Sequence, residues 1–286
     1  MFNYSTLESI GMEKLHKTFI EAFSDYQVKF DLPILKFQQM LQRRGYVSKA
    51  SIGAFENNAL IGFLLNGIRY WDGKLTAYDT GTGVIKTYRK HGITSNMFFN
   101  TKQLLQEMGV EQYLLEVIQS NISAVRLYKK QGFETLREFE CFNLDKNKYK
   151  HTPTAEYEVQ HINSITKNDW KEFSKFWDFK PSWQNSIDSV NDASDTFVYS
   201  IIVIDNTIVG YGIIDKYTGD IPQIAVDKNH RGKGIGRSIF TDLLKNTESD
   251  NIKVLNVDNH CDSMKDFLLN LRFEQNVSQY EMVLKL

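Results

Sequence analysis

Cysteine, proline and net charge are all scarce. Two cysteines and four prolines stand in 286 residues, and 34 basic residues against 35 acidic ones leave a net charge of -1. Cys141 and Cys261 fall in different halves without ligand spacing. That argues against a disulfide framework or a cysteine-held metal and leads us to expect two reduced thiols in a cytoplasmic protein. His16, His91, His151, His161, His230 and His260 are scattered without metal spacing, so no metal is expected. With no surplus of either sign, no global field draws the chain to nucleic acid or to a membrane, and any anion site has to be local. The N-terminus, MFNYSTLESIGMEKL, lacks a basic-then-apolar signal pattern, and no apolar run approaches a membrane span. No low-complexity tract suggests disorder. The length suits about two folded domains.

What is present is a duplication. TYRKHGITSNMF (87–98) matches NHRGKGIGRSIF (229–240), with Arg89 opposite Arg231 and Gly92 opposite Gly234. EVIQSNISAVRLYKKQGFE (116–134) lines up without gaps on NVDNHCDSMKDFLLNLRFE (256–274), and FENNALIGF on IDNTIVGY. Each half reads as hairpin, strand, glycine loop, helix, strand, helix, strand. Met97, Phe98, Leu104, Leu105 and Met108 fall on one helical stripe, as do Ile239, Phe240, Leu243 and Leu244. QYLLEVI and KVLNV have strand length, and Asn121 or Ser120 can cap a helix that Gly132 ends. The polar, basic segment LDKNKYKHTPTAEYEV (144–159) separates the halves. We therefore expect an α/β chain with domains at 1–147 and 157–286, joined by a linker at 148–156.

The chemistry lies in the loops. A helix N-terminus exposes unpaired N–H groups and the positive end of the helix dipole, and glycines let the preceding turn bring those amides close to an anion, usually a phosphate. In RGKGIG, Gly232, Gly234 and Gly236 suit such a cradle, and Arg231 and Lys233 add charge. No Gly-Lys-Ser/Thr follows, so this is not a Walker loop. The pattern G-x-G-x-G is one residue short of the dinucleotide fingerprint, and a hairpin precedes it. The plain alternative is a turn that merely packs.

Arg-x-x-Gly-x-Gly at 231–236, between a strand and an amphipathic helix, resembles the pyrophosphate loop of the GNAT superfamily of acyl-CoA N-acyltransferases. Arg89-x-x-Gly92-x-Thr94 is its weaker form. The run Asn121-x-x-Ala124-x-x-Leu127-Tyr128-x-x-x-Gly132-Phe133 resembles the superfamily's second signature. The likeness extends over nearly the whole chain, as two tandem GNAT domains. It implies in each a mixed, mostly antiparallel central sheet, a V-shaped splay between the fourth and fifth strands, and flanking helices. It also implies a pantetheine arm lying along the fourth strand, read here as GTGVI (81–85) and QIAV (223–226). The acyl-CoA contacts implied are Val84, Ile85, Arg89, Lys90, His91, Gly92, Ile93, Thr94 and Asn121 in the first half. In the second they are Ala225, Val226, Arg231, Gly232, Lys233, Gly234, Ile235 and Gly236. Acetyl-CoA is the expected cosubstrate. Direct attack of a primary amine on the thioester is the expected reaction, and Tyr128 the expected proton donor to the leaving sulfur.

The halves divide the signatures unequally. The first has Asn121 and Tyr128, but Lys90 and Thr94 stand where the second has Gly232 and Gly236. The second has the full loop, but Cys261, Leu268 and Arg272 replace Asn121, Tyr128 and Gly132. Tyr128 favours the first half for chemistry. Glu116 reads as a water-mediated proton relay or as a structural carboxylate, and Asp79 as a base or ammonium anchor or as a turn residue in AYDTGTG. Tyr70, Trp71, Tyr78, Trp177 and Trp183 read as acceptor-pocket lining or as satellite core. The partner expected is a small-molecule or peptide amine, on a monomer or homodimer, with neither nucleic acid nor membrane. The competing reading is a catalytically inactive acyl-CoA-binding module or scaffold.

Overall fold

The computed structural model describes residues 1–25, 32–149 and 157–286, so the linker read at 148–156 lies outside the described residues from 150 onward. The chain divides into two compact units. Unit 1 is Met1–Arg137 with Tyr280–Leu286, and unit 2 is Glu138–Gln279. The chain order is β1 (Asn3–Thr6), α1 (Met12–Ala22), α2 (Ile34–Arg43), β2 (Ile52–Glu56), β3 (Ala59–Trp71), β4 (Lys74–Val84), α3 (Ile93–Glu107), β5 (Gln112–Ile118), α4 (Ile122–Gln131) and β6 (Glu134–Asp145). It continues with β7 (Gln160–Ile162), α5 (Lys167–Phe173), α6 (Ile187–Asp192), β8 (Phe197–Ile204), β9 (Thr207–Asp215), β10 (Gln223–Val226), α7 (Ile235–Lys245), β11 (Asn251–Asp258), α8 (Asp262–Asn270) and β12 (Glu274–Lys285). No helix among the described residues is long and apolar enough to cross a membrane.

In unit 1 the strands run β1-β2-β3-β4-β5 and the sheet continues onto β12. The hairpins turn on pairs of left-handed residues, Asn57–Asn58 between β2 and β3 and Asp72–Gly73 between β3 and β4. Such pairs match the twist of the strands they join. α3 and α4 bury Met97, Phe98, Leu105, Val125 and Tyr128 in one cluster, while α1 and α2 bury Leu15, Phe19, Phe37 and Leu41 in another with Phe63 and Leu65 of β3. β4 and β5 are parallel and pair only at Thr76–Gln112, Ala77–Tyr113 and Tyr78–Leu114, then part. β4 is longer than the GTGVI read from the sequence, and Ile85 lies just past its end. A bulge against β3 leaves Thr80 unmatched between Asp79 and Gly81.

Unit 2 repeats the plan. β7 to β10 form an antiparallel sheet in the order β10-β9-β8-β7, and β8 and β9 turn on left-handed Asp205–Asn206. α7 and α8 pack one cluster around Ile235, Ile239, Phe240, Leu243 and Leu268, and α5 with β8 and β9 packs another around Trp170, Phe173 and Tyr211. Ahead of β10, Asp220 makes a parallel bridge to Lys253 of β11. The backbone bonds there are Ile221 N to Lys253 O, 2.8 Å, and Lys253 N to Gly219 O, 3.0 Å. Beyond that bridge β10 leaves β11.

Each unit's final pairing differs from the boundary read in the sequence. β11 takes its antiparallel partner from the Phe139–Asp145 part of β6, inside unit 2. β5 takes β12, whose residues from Tyr280 onward belong to unit 1. There Leu286 N donates to Glu111 O at 3.0 Å, and Arg137 makes a two-pronged ion pair with buried Glu281 at 2.7 and 2.9 Å.

Candidate functional site

Both loops adopt one backbone shape. Lys90 (φ 66°) and Gly92 (φ 74°) are left-handed in unit 1, as are Gly232 (φ 75°) and Gly234 (φ 92°) in unit 2. Alternating left-handed residues ahead of a helix turn successive N–H groups inward, a concavity that suits an anion. α3 and α7 follow, their first residues Ile93 and Ile235 buried as anchors. The first intrahelical bonds here are Asn96 N to Gly92 O and Ser238 N to Gly234 O, so three amides at each helix start have no intrahelical acceptor.

The loop arginines are engaged by groups of the protein itself. Arg89 Nε donates to Val84 O at 3.0 Å and Nη2 to Ala22 O at 2.7 Å, and both Nη atoms reach Asp25. Arg231 repeats this on Val226 O (3.1 Å), Phe176 O (2.8 Å) and Asp178 (2.7 Å). The guanidinium is a clamp that fixes the loop to the end of the preceding strand and to the helical segment beside it. Asp25 is held below the usual carboxylate range by the Arg89 bond. Burial pushes Asp178 up, but bonds from Arg231 and Ser263 and the nearby Arg231 and Lys228 charges outweigh it, leaving it lowered. Neither aspartate was legible, because no gapless alignment of the halves brings Asp25 opposite Asp178.

Lys233 Nζ turns back to Asn229 O (3.2 Å), His91 to Tyr88 O (3.2 Å) and His230 to Asp227 (3.1 Å). Thr94 and Gly236 are second residues of their helices. A Cβ on Gly236 would sit 3.2 Å from the Phe267 ring, so that glycine makes room for a packed aromatic. In the aligned places unit 1 carries Thr94 and the smaller Leu127. Asn121 caps α4 through Ala124 N at 3.2 Å, and Gly132 closes that helix at φ 98°.

Unit 2 holds a cavity of about 550 Å³. Gly232, Gly234, Ile235, Gly236 and Arg237 line it at the loop, Ala225 and Val226 along β10, Val254 to Val257 along β11, and Met264 and Phe267 from α8. Phe176, Trp177, Phe179, Asn185, Tyr211 and Gln223 also line it. Asn256 is left-handed (φ 60°) at a bulge in β11, and its Nδ2 donates to Ser182 Oγ at 2.9 Å. Trp177 is therefore pocket lining, while Trp183 is fully buried core and Tyr70 is exposed. Sequence reasoning missed Tyr211, Gln223 and Asn185, which carry no motif and meet only through the sheet.

Unit 1 gathers its three candidate catalytic residues where β4 and β5 part. Asp79 lies in β4 at the bulge, buried, and not in a turn. Its Oδ1 accepts from Gly81 N (2.9 Å) and its Oδ2 from Thr82 Oγ1 (2.7 Å), and the Tyr128 hydroxyl also bonds to the carboxylate. Burial raises its pKa to about 6 against those bonds and the Arg44 charge. Glu116 bonds to Tyr78, whose hydroxyl is pushed well up by burial and then by that carboxylate. Tyr128 is buried edge-on to Phe98, with ring centroids 5.7 Å apart. Trp71 and Tyr78 are likewise buried. Val84 and Ile85 are buried at the end of β4, and Lys90 is exposed. In unit 2 Leu268, aligned with Tyr128, lies with Ile221 in an apolar cluster instead. Among the described residues, no group of three or more His, Cys, Asp or Glu is placed to hold a metal.

A family model described as the acetyltransferase (GNAT) family matches residues 12–133 and 162–265. No curated relative matches the sequence. Among solved structures, a tandem GNAT protein from the clavulanic acid biosynthesis pathway is 13% identical at TM-score 0.75, over 100% of this chain and 98% of its own. A GCN5-related N-acetyltransferase from Sphaerobacter thermophilus is 10% identical at TM-score 0.72, over 99% and 95%. One from Anabaena variabilis is 15% identical at TM-score 0.58, over 99% and 72%.

Proposed function

Because the chain belongs to the GNAT family of acetyltransferases, we propose that it transfers an acetyl group from acetyl-CoA to a primary amine, and that unit 2 holds the acyl-CoA. The observation that carries this reading is the cavity lined by the residues that open α7 and by residues of β10 and β11. The pyrophosphate sits on the amides of Ile235, Gly236 and Arg237 and the concavity of Gly232–Gly234. β10 ends its sheet, so its outer edge offers N–H and C=O groups to the extended pantetheine arm. The amine nitrogen attacks the thioester carbon: the C–N bond forms, the C–S bond breaks, and the electron pair leaves on sulfur. The proton lost by nitrogen ends on that thiolate, giving an amide and the free thiol of CoA. Holding amine and carbonyl in line supplies most of the acceleration in such a transfer. Cys141 and Cys261 are both buried and neither is in a disulfide, which fits the reducing cytoplasm.

A second reading keeps the chemistry in unit 1. It is favoured by the meeting of Tyr128 with Asp79, and of Tyr78 with Glu116, where β4 and β5 part. Calorimetry with acetyl-CoA, CoA and dephosphorylated pantetheine tests the acyl-CoA binding that both readings require. Acetyl-CoA and CoA bind and pantetheine binds far more weakly. At about 100 times its Kd, acetyl-CoA stabilises the fold by roughly 2.7 kcal/mol. Equal binding of pantetheine would remove the phosphate role of the loop.

A further inference from the structure

We infer that the acceptor is a monoamine with an aromatic or bulky apolar body, received by the wall that Phe176, Trp177, Phe179 and Tyr211 build in the cavity of unit 2. This rests on the donor-site reading above and adds the class of acceptor to it.

The wall consumes its own polar groups. Trp177 Nε1 donates to the Tyr211 hydroxyl at 2.6 Å, and that hydroxyl donates to Gln223 Oε1 at 2.6 Å. Gln223 Nε2 donates to Asn185 O at 2.7 Å, and Asn185 Nδ2 to Leu255 O at 2.9 Å. Indole, phenol and the Gln223 amide are bonded in sequence as far as the Asn185 carbonyl, and the Asn185 amide is held by Leu255 O, so the surface that this wall turns to a ligand is mostly carbon. The wall is also rigid. The Tyr211 ring stacks on Phe173 with centroids 4.1 Å apart and planes 9° apart, and Trp170 meets it edge-on at 6.4 Å.

Charge points the same way. Asp178 is the carboxylate that lines the cavity, and it is engaged by Arg231 at 2.7 Å and Ser263 at 2.9 Å. Arg237 brings positive charge to the loop end. A polyamine or aminoglycoside brings several cations that need carboxylate partners, whereas an arylalkyl monoamine loses water from apolar surface against apolar surface.

The test is acetylation by the purified full chain of 2-phenylethylamine, propylamine and spermidine, each read as kcat/KM with acetyl-CoA. 2-Phenylethylamine should exceed propylamine by at least about 10-fold, from burial of the ring, and spermidine should trail both. Trp177→Ala and Phe179→Ala should each cut the phenylethylamine-to-propylamine ratio several-fold, and the ratio does not depend on how much of a variant is folded. Equal rates for the two monoamines, or a preference for spermidine, overturn the inference. So does a wild-type preference for benzoyl-CoA over acetyl-CoA with propylamine, which gives the wall to the acyl group. Acetyl-CoA binding by calorimetry without acetylation of any of the three overturns the acceptor class and leaves the donor site standing. If acetyl-CoA does not bind, the donor site fails, and calorimetry with 2-phenylethylamine alone decides the wall: binding supports it and no binding overturns it.

Discussion

Unit 1 and unit 2 make the same turn from different residues and then diverge where it leads. Both set two left-handed residues before a helix and clamp the loop with an arginine on an aspartate and two carbonyls. Unit 1 puts a lysine at the first left-handed position and meets the parting of β4 and β5 with Asp79 and Tyr128. Unit 2 puts glycine there, and its parting strands open into a cavity. The loop's shape therefore outlasts its glycine-rich sequence, because the clamp and the buried isoleucine at the helix start hold it. Side chains at the strand opening decide what the loop can serve.

The comparison is broken most strongly at the matched glycines. Gly92→Glu and Gly234→Glu each force a side chain into a left-handed site, at about 1–3 kcal/mol of strain. Each also aims a negative charge at the mouth of its helix. Gly234→Glu should weaken acetyl-CoA binding by at least about 1,000-fold, or ~4 kcal/mol, while Gly92→Glu leaves it within about threefold. Calorimetry on the two variants reads this directly. The opposite pattern would move the acyl-CoA to unit 1.

The second difference is electrostatic and belongs to unit 1. Asp79 ionises near 3.8 unfolded and near 6 folded. Between those values the unfolded chain has released the proton and the folded one keeps it. Stability therefore falls as pH rises from about 4 to about 6 and is level above, by on the order of 3 kcal/mol. Denaturant unfolding from pH 4 to 7 should show wild type losing stability relative to Asp79→Asn across that window. A constant gap between the two would mean that Asp79 is not desolvated.

Tyr128→Phe probes the same pair more gently. It removes one bond to a buried carboxylate, costing about 1–2 kcal/mol. It should raise the Asp79 pKa further, since that bond lowers it. A structural Tyr128 loses only stability. A fall in kcat of about 10²–10⁴, beyond the loss of folded protein, would return the chemistry to unit 1.

Much of this was legible in the sequence. The glycine spacing of 231–236 and the Asn121-to-Phe133 run identify the strand–loop–helix units, since turn and cap residues act locally. What was not legible depends on pairing at a distance. β6 and β12 alternate alike, and nothing in either pattern says that β11 takes the first and β5 the second. The Thr80 bulge that turns Asp79 inward needs the register of β3. The chain of bonds from Trp177 to Leu255 joins five separate segments.

The finest contrast is the first left-handed residue itself. Lys90 holds φ 66° where Gly232 holds φ 75°. A Cβ in that region costs roughly 1–2 kcal/mol, and glycine gives back about 0.4–1 kcal/mol through the greater freedom of the unfolded chain. Lys90→Gly should therefore stabilise unit 1 by a net of roughly 0–1.6 kcal/mol, a rise of about 6 °C at most in its melting temperature. Gly232→Lys is the mirror experiment. A Cβ there meets nothing within 4 Å, so its cost is the backbone angle alone. The two swaps should shift melting by similar amounts in opposite directions. If Lys90→Gly destabilises, the lysine side chain holds something that the glycine in unit 2 does not need to hold, and the two loops are alike in outline only.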